Sequence, residues 1–257
     1  MHTRGAVLLG GVILVKAAAL AGLAAGLPFA WMAAVFFAAG LPAVYALLVP
    51  GAQGLGPVRT CFVTPRREVW LTIDDGPDPE DTPRVLDLLD RHRATATFFV
   101  VGERAARHPG LVSDIVRRGH EVAHHTHTHP EATFWFATPG RVARELEDTL
   151  QALAPLGIRP RWFRAPVGIK NLFLWAATAA RGMEVVGWTV RSWDSVARDP
   201  EAVARTVVRR VQPGSILLFH EGPRLRPAIR VAALDRTLAA LAKAGYTCVR
   251  PDPGDLR

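Results

Sequence analysis

The chain begins with a long apolar segment suited to a lipid bilayer, and the rest of the sequence has the mixed polarity of a domain surrounded by water. Residues 6–50 contain no acidic residue and only one charge, Lys16, whereas the remainder of the 257 residues is of mixed polarity. A helix needs about twenty apolar residues to cross a bilayer core. Gly26-Leu27-Pro28 predicts a turn that splits the segment into two spans, 6–26 and 29–49. We therefore predict a membrane anchor with its linker over 1–57 and a separate folded domain over 58–257.

Other interpretations of this segment remain open. Arg4 and the small residues near Ala25 are typical of a cleaved signal peptide, but such a peptide would not be followed by a second apolar run. Lys16 lies near the middle of the first span, where a cation costs roughly 2.5–3.5 kcal/mol. It either extends towards the membrane surface, marks a shifted and shorter span, or contacts a lipid phosphate.

The side of the membrane on which the domain lies depends on the number of spans. Two spans place Arg4 on the same side as Arg59, Arg66 and Arg67, and the positive-inside tendency makes that side cytoplasmic. A single span would place the domain outside. The composition predicts a bacterial inner membrane location and leaves the side undecided.

After the linker, short β-branched runs alternate with longer segments of helical period. This alternation predicts an α/β fold with a parallel sheet. Seven strands with intervening helices fit a distorted seven-stranded (β/α) barrel, preceded by the transmembrane helical hairpin. The predicted strands are Val69–Ile73, Ala96–Val101, Glu121–His124, Trp162–Arg164, Glu184–Trp188, Ile216–Phe219 and Tyr246–Val249. The predicted helices are Pro83–His92, Arg104–Arg118, Arg141–Leu153, Leu172–Ala180, Pro200–Val211 and Ala228–Ala244.

Polar side chains follow five of the apolar runs, at the point where each run ends. In β/α barrels the carboxyl ends of the strands carry the active site. The residues in these positions are Asp74, Asp75, His125, Arg164, Asp194 and His220. The sequence therefore predicts that they line one end of the barrel.

A cluster of histidines indicates a metal. Five of the nine histidines lie between residues 120 and 129, and imidazole is the commonest protein ligand for zinc-like ions. His125 and His129 are four residues apart and can share one ion with a carboxylate from Asp74-Asp75. His120 and His124 begin inside an apolar strand, so we predict structural roles for them. His127 either lines the cleft or is solvated.

The net charge of +8 has a weak bearing on partners, because 28 of the 31 basic residues are arginine and this bias is typical of genome composition. No basic run with interleaved aromatic residues indicates a nucleic-acid surface, and no protein partner is predicted. Cys61 and Cys248 are predicted to be buried free thiols rather than a disulfide.

Five short motifs in this order resemble the polysaccharide deacetylase family, also known as the NodB homology domain or carbohydrate esterase family four. Each motif alone is weak, but the ordered set is specific and covers Glu68 to Val249. The motifs are Thr72-Ile73-Asp74-Asp75-Gly76, His125-Thr126-His127-Thr128-His129, Arg164-Ala165-Pro166-Val167-Gly168, Trp188 through Asp194, and Leu218-Phe219-His220.

The resemblance implies hydrolysis of an N-acyl group, usually acetyl, on an amino sugar. It implies that Asp75, His125 and His129 bind a divalent metal, with Zn²⁺ as the default ion and Co²⁺ or Fe²⁺ as alternatives. A bound ion of this kind lowers the pKa of water and polarises the acyl carbonyl.

The remaining motif residues would then divide the acid and base steps between them. Asp74 would be the general base, held by Arg164, and His220 would be the general acid, oriented by Asp194. The backbone N–H of Val167 would stabilise the oxyanion. Leu218 would line an acyl pocket, and Trp188 would contribute to substrate binding.

Two departures from the family pattern put the substrate in doubt. Many family members have an aromatic residue at the position of Val167 and tryptophan at that of Ser195, both beside the sugar groove; Trp193 could substitute. Phe134-Trp135-Phe136 could stack on sugars, enter the membrane interface, or close the barrel over its own core.

These residues leave three functions open. The first is N-deacetylation of an amino sugar in a polysaccharide or a lipid-linked glycan at the membrane. The second is a deformylase or another amide hydrolase acting on a polyprenyl-phosphate-linked sugar. The third belongs to a different class, an inactive barrel that binds glycan or metal. A degraded site would favour the third function, and this sequence retains both the acid and the base.

Overall fold

The computed structural model describes residues 2–222 and 227–257, and its first part is a pair of antiparallel apolar helical segments. The first segment is Thr3–Ala24 (α1), and the second consists of Phe29–Ala38 (α2) and Leu41–Leu48 (α3). Gly26 turns the chain between them with a φ of 85°. Both segments, 3–24 and 29–48, have the length and apolar composition of membrane spans. The predicted hairpin is thus consistent with the structure.

Contacts along the hairpin fix its antiparallel register. A Cβ built on Gly22 would lie 2.6 Å from the Met32 sulfur, so the two helices touch closely near the turn. Lys16 lies farther along, with its Nζ 4.4 Å from the centre of the Phe36 ring. Lys16 therefore has an aromatic partner within the hairpin, a contact that the sequence did not indicate.

The remaining chain forms a parallel sheet that curves into an incomplete barrel. The path of hydrogen-bonded strands is β5-β4-β3-β2-β1-β7-β6, and β8 pairs with β1 outside this path. The strands are Glu68–Asp74 (β1), Ala96–Val100 (β2), Glu121–His124 (β3), Trp162–Phe163 (β4), Glu184–Val185 (β5), Val190–Arg191 (β6), Ile216–His220 (β7) and Thr247–Cys248 (β8). The predicted fold class is confirmed. All seven predicted strands are present, and β6 is an additional short strand.

The barrel is open between β5 and β6, and a segment after the linker occupies the opening. The Arg59 N–H donates to the Val185 carbonyl at 2.9 Å, and the Gly187 N–H donates to the Arg59 carbonyl at 2.8 Å. Cys61 forms an antiparallel bridge with Ser215. Arg59 is thus bonded within the barrel, and the boundary between residues 57 and 58 stays a prediction for the start of the domain.

Helices cover the outside of the sheet. They are Asp81–His92 (α4), Gly102–Arg107 (α5), Pro109–Arg117 (α6), Pro139–Leu153 (α7), Leu174–Ala179 (α8), Pro200–Arg210 (α9) and Pro227–Lys243 (α10). One long helix was predicted over 104–118, but two helices meet at His108–Pro109, because proline has no N–H to continue the helical ladder. The two cysteines are free, as predicted; Cys248 is buried, whereas Cys61 is only partly buried.

The hairpin is packed against the barrel rather than joined to it by a free linker. Leu8, Ala46 and Leu47 belong to the same apolar cluster as Leu174 and Trp175 of α8. The Trp175 Nε1 donates to the Pro57 carbonyl at 2.8 Å. The end of the hairpin therefore has a defined position relative to the carboxyl ends of the strands.

Candidate active site

The paired aspartates lie where β1 ends. Asp74 is the last residue of the strand and is buried, while Asp75 follows with a φ of 74°. A positive φ is uncommon for residues other than glycine, and such strain concentrates at functional sites. The turn directs the two carboxylates to different partners: Asp74 contacts a buried arginine, and Asp75 contacts two histidines.

Asp75, His125 and His129 converge on one point. Asp75 Oδ1 lies 3.4 Å from His125 Nε2 and 3.1 Å from His129 Nε2, and the two Nε2 atoms are 3.2 Å apart. Zinc bonds of about 2.0–2.1 Å in a tetrahedron would separate ligand atoms by roughly 3.3–3.4 Å. The spacing of these three side chains therefore fits a divalent ion.

The second nitrogen of each imidazole has an oxygen partner. His125 Nδ1 lies 2.9 Å from the Arg164 carbonyl oxygen, and His129 Nδ1 lies 3.1 Å from a carboxylate oxygen of Glu131. These acceptors favour the proton on Nδ1 and leave the Nε2 lone pairs facing Asp75, the arrangement that histidine ligands of metals usually have. Two lone pairs this close repel each other unless they share a cation. The donor set thus fits the metal that the sequence predicts.

The loop that carries these histidines is held by a buried carboxylate. Glu145 of α7 accepts the N–H groups of His127 and Thr128, both at 2.9 Å, and the Thr128 hydroxyl at 2.6 Å. The loop is strained, since Thr126 and His129 have φ values of 63° and 53°. Glu145 therefore positions the loop. The sequence did not indicate this role, because Glu145 is an ordinary charged residue of a predicted helix. Glu131 was also missed, although it lies only two residues beyond His129.

The other histidines of the cluster are separate from this centre. His124 is fully buried, with Nε2 3.0 Å from the Leu146 carbonyl oxygen, and burial lowers its pKa to about 3. It is a neutral structural residue, as predicted. His120 is also buried, and burial lowers its pKa. His127 is partly buried rather than solvated.

Arg164 fixes the position of Asp74. Its Nη1 donates to Asp74 Oδ1 at 2.6 Å and to the Thr72 hydroxyl at 2.8 Å, while Nη2 donates to the Gly187 carbonyl at 2.7 Å. The guanidinium also lies 4.1 Å from the centre of the Phe99 ring. These four contacts hold the guanidinium in place, and with it the Oδ1 atom of Asp74. The other carboxylate oxygen, Asp74 Oδ2, faces His125 Nε2 at 3.7 Å.

His220 lies beside Asp74 on the neighbouring strand β7 and is paired with the buried Asp194. Asp194 Oδ1 lies 2.7 Å from His220 Nδ1, and Oδ2 accepts the His220 backbone N–H at 2.8 Å. Burial opposes charge on this ring, but the negative charge and hydrogen bond of Asp194, with smaller contributions from Asp75 and Asp74, raise the pKa of His220 to about 9. The imidazole is therefore protonated at neutral pH and can donate a proton through Nε2.

These groups share one cavity of about 260 Å³. The residues predicted for substrate binding, Val167, Leu218 and Trp188, also line it. Val167 has a φ of 50° and a side chain that is 43% exposed, whereas Leu218 is buried. All the predicted site residues thus line the cavity except Arg164 and Asp194. These two are buried behind the wall, where Arg164 contacts Asp74 and Asp194 contacts His220.

Besides Glu131, four charged residues of the cavity were not anticipated: Arg104, Arg191, Glu221 and Arg230. Arg104 donates to the Asp75 carbonyl oxygen, which ties α5 to the turn after β1. Glu221 is buried beside Thr82, and burial raises the pKa of its carboxyl to about 8. Arg191 lies on the missed strand β6, with its guanidinium 4.4 Å from the centre of the Trp193 ring.

Comparisons with known proteins agree with this arrangement. The polysaccharide deacetylase family profile matches residues 63–186. A chitooligosaccharide deacetylase of Bradyrhizobium sp. (strain ANU 289) is 37% identical over 186 residues, covering 70% of this chain and 84% of that protein. A peptidoglycan-N-acetylglucosamine deacetylase of Bacillus cereus is 35% identical over 186 residues, with the same coverage of 70% and 84%.

Solved structures show the same similarity. A family 4 carbohydrate esterase from Streptomyces lividans, in complex with acetate, superposes with a TM-score of 0.66 at 33% identity, covering 74% of this chain and 95% of that one. A family 4 pseudoenzyme from Bacillus anthracis has a TM-score of 0.66 at 26% identity, covering 74% and 65%. On this similarity and the motifs above, the chain belongs to the polysaccharide deacetylase family, whose enzymes hydrolyse carbon–nitrogen bonds other than peptide bonds.

Proposed function

We propose that this protein is a membrane-bound, divalent-metal-dependent hydrolase that removes an N-acetyl group from an amino sugar of a polysaccharide or lipid-linked glycan. The observation that carries the proposal is the meeting of two groups of side chains at one cavity. One group is the Asp75–His125–His129 cluster with Asp74 beside it, and the other is His220 with its partner Asp194. The relatives named for chitooligosaccharide and peptidoglycan substrates support an acetylated glucosamine unit.

The metal would be held by Asp75, His125 and His129, and zinc is the default ion for two imidazoles and one carboxylate. When bound, it supplies Lewis-acid chemistry, which makes water more acidic and the acyl carbonyl more electrophilic. Cobalt and iron are the alternatives for the same ligands.

Asp74 is suited to be the general base. Its Oδ2 faces the cluster while Oδ1 is fixed by Arg164, so it can take one proton from the attacking water. The new bond joins the water oxygen to the acyl carbon. The N–H of Val167, on the cavity rim, would donate to the developing oxyanion.

His220 is suited to be the general acid. Its protonated ring gives a proton to the sugar nitrogen as the carbon–nitrogen bond breaks, which releases acetate and the free amine. Asp194 keeps the ring charged and oriented. The small buried face of Leu218 would contact the acyl methyl, and Trp188 would contact the sugar.

The apolar hairpin supports a location in the bacterial inner membrane. Its outward side chains are exposed, including Ile13 at 66% and Trp31 at 71%, and an aqueous environment would leave this apolar surface uncovered. Two helices of about 20 residues match the thickness of a bilayer core.

The test is acetate release from N-acetylchitotetraose by the full chain in detergent, before and after removal of metal with a chelator and addition of Zn²⁺. We expect Asp74→Asn to lower turnover by about 10²–10⁴-fold, the usual contribution of a general base, with the zinc content unchanged. Asp87→Asn, on the exposed face of α4, is the matched control and should behave as the wild type.

Two results would contradict the proposal. If Asp74→Asn kept full activity, Asp74 would not be the general base. A wild-type protein that binds zinc but releases no acetate or formate from any amino sugar would favour an inactive binding barrel, and a pseudoenzyme among the structural neighbours shows that this family contains such proteins.

A further inference from the structure

The end of the hairpin lies at the wall of the cavity. A Cβ built on Gly168 would lie 2.6 Å from the Trp188 indole and 2.7 Å from the Pro50 ring, so these three residues are packed together. Gly168 and Trp188 both line the cavity. Pro50 follows the second apolar segment by two residues. The end of this segment is therefore next to the wall of the cavity.

Two neighbouring residues attach the hairpin and an aromatic turn to each other. The Lys170 N–H donates to the Leu47 carbonyl at 3.0 Å, and its ammonium group donates to the Pro50 carbonyl at 3.2 Å. Asn171 Nδ2 donates to the carbonyls of Phe134 and Ala137, both at 2.9 Å. The turn 134–136 is thus fixed on the side of the barrel from which the hairpin extends.

The same side presents exposed aromatic rings. Phe134 is buried, but Trp135 and Phe136 are 44% and 55% exposed and contact each other edge to face. Phe173, whose N–H is bonded to Asn171, is 39% exposed. Tryptophan and phenylalanine next to a membrane helix are typical of residues that enter the interfacial region. We call Trp135, Phe136 and Phe173 the aromatic platform.

Arg191 is a cation of the cavity that has no acidic partner among the described residues. Arg191 lines the cavity beside Ser195 and Val196, its Nε is buried without a hydrogen-bond partner, and no carboxylate of residues 2–222 or 227–257 forms an ion pair with it. Stacking on Trp193 fixes the plane of the guanidinium. A fixed guanidinium with free donors is the arrangement that binds phosphate oxygens.

We propose that the cavity opens at the bilayer surface and takes an N-acyl amino sugar that is joined to a membrane lipid through a phosphate, with Arg191 binding the phosphate and the aromatic platform contacting the bilayer. This inference rests on the proposed amide hydrolysis and names its substrate. The acyl group would occupy the site between Asp74 and His220. The lipid chain would remain in the membrane beside Pro50.

The first test compares two lipids that differ only in the phosphate. The full chain is reconstituted in vesicles of phosphatidylethanolamine and phosphatidylglycerol with either N-acetylglucosaminyl-phosphoryl-polyprenol or the phosphate-free N-acetylglucosaminyl-polyprenol. We expect kcat/KM to favour the phosphate-linked lipid by about tenfold or more, as a charge-assisted hydrogen bond allows. In Arg191→Gln this preference should fall to near one, mainly through KM, and Arg191→Lys should restore part of it.

Arg209→Gln is the matched control, because Arg209 is an exposed arginine of α9 outside the cavity and should keep the wild-type preference. Equal hydrolysis of the two lipids, or an unchanged preference in Arg191→Gln, would overturn the inference. Acetate release from soluble chitotetraose, measured in parallel, separates a failure of this inference from a failure of the proposed function. If the protein releases acetate from chitotetraose but not from either lipid, only the lipid-linked substrate is overturned. If it releases acetate from no substrate, the proposed function is overturned as well.

The second test addresses the platform. In the double variant Trp135→Ser and Phe136→Ser, we expect the ratio of kcat/KM on the vesicle-borne lipid to kcat/KM on chitotetraose to fall several-fold. Val116→Ser, an equally exposed apolar residue on α6, is the control and should keep the ratio. An unchanged ratio in the double variant would remove the platform from the proposal.

Discussion

The charge of His220 depends mainly on one residue. Burial alone would make this imidazole neutral, and the carboxylate of Asp194, 2.7 Å from Nδ1, reverses that effect and raises the pKa to about 9. A metal ion at Asp75 would offset the smaller contributions of Asp75 and Asp74. The contribution of Asp194 would remain, because Asp194 is bonded to His220 and is not one of the three residues expected to hold the ion.

Replacement of Asp194 should move the alkaline limb of the pH–rate profile. The acid form of His220 is present below its pKa and is lost as the pH rises through about 9 in the wild type. In Asp194→Asn burial is no longer opposed by this charge, so the pKa falls and the limb moves to lower pH. We expect a loss of up to about 10²–10⁴-fold in turnover at pH 8, with a smaller loss at lower pH.

The measurement is kcat/KM for acetate release across the pH range. Asp199→Asn is the control, since Asp199 caps the nearby α9 and asparagine can also cap. A wild-type profile in Asp194→Asn would show that His220 is not the group that limits activity at high pH.

Single residues were predictable from the sequence where a motif is local. Asp74, Asp75, His125 and His129 lie in two short segments, and the spacing of the histidines already indicated one ion. Glu145 and Arg191 were not predictable. Each is an ordinary charged residue of a helix or a short strand, and its role arises from the segment that the fold places against it.

At the scale of elements, a buried lysine joins the hairpin to the barrel. Lys170 donates to the carbonyls of Val49, Pro50 and Ala52, the backbone that follows α3. Burial lowers its pKa to about 8. The ammonium group thereby satisfies carbonyls beyond the last turn of a helix, which is a position that favours a cation.

We expect Lys170→Met to loosen this junction. The methionine fills a similar volume but leaves three carbonyl groups without their donor, which costs about 1–3 kcal/mol for each buried unsatisfied group. A fall in the melting temperature and faster proteolysis between residues 49 and 57 would report the change. Lys243→Met, at an exposed end of α10, should leave both unchanged; equal behaviour of the two variants would mean that Lys170 does not hold the junction.

The elements themselves were mostly predictable, and the exceptions have physical causes. The periodicity located every strand of five or more residues. It missed β6, because this strand contains a single apolar residue, Val190, between polar neighbours and so shows no apolar run. It joined α5 to α6, because the helical pattern continues through a proline that ends the hydrogen-bonded ladder.

At the scale of the whole molecule, the hairpin would determine on which side of a membrane the cavity lies. Arg4 Nη1 donates to Gln53 Oε1 at 3.3 Å, so the start of α1 and the end of α3 are adjacent. If both segments cross the bilayer, Arg4 and the basic residues Arg59, Arg66 and Arg67 lie on one side, and the turn at Gly26 carries no charge. The positive-inside tendency makes the side of the domain cytoplasmic.

Cysteine labelling tests this topology. In a Cys61→Ser background, a membrane-impermeant maleimide should label Leu27→Cys in intact cells, because Leu27 lies in the turn. It should label Arg209→Cys, on the domain surface, only after permeabilisation. Labelling of Arg209→Cys in intact cells would place the domain outside. The cytoplasmic result would direct the search for substrates to amino sugars assembled on lipids of the inner leaflet.

The sequence by itself determined the division into an apolar and a mixed-polarity part, the order of strands and helices, and the short segments that supply the candidate site residues, since each depends on residues close together in the chain. Only the tertiary structure decided which of these residues meet. Arg164 and Asp74 are 90 positions apart, and Lys170 and Val49 are 121 apart. The spacing of apolar residues specifies which face of a helix or strand is buried, but not which other element packs against that face. The contacts that complete the site, and that place the end of the hairpin at the cavity wall, depend on how the strands are ordered in the sheet.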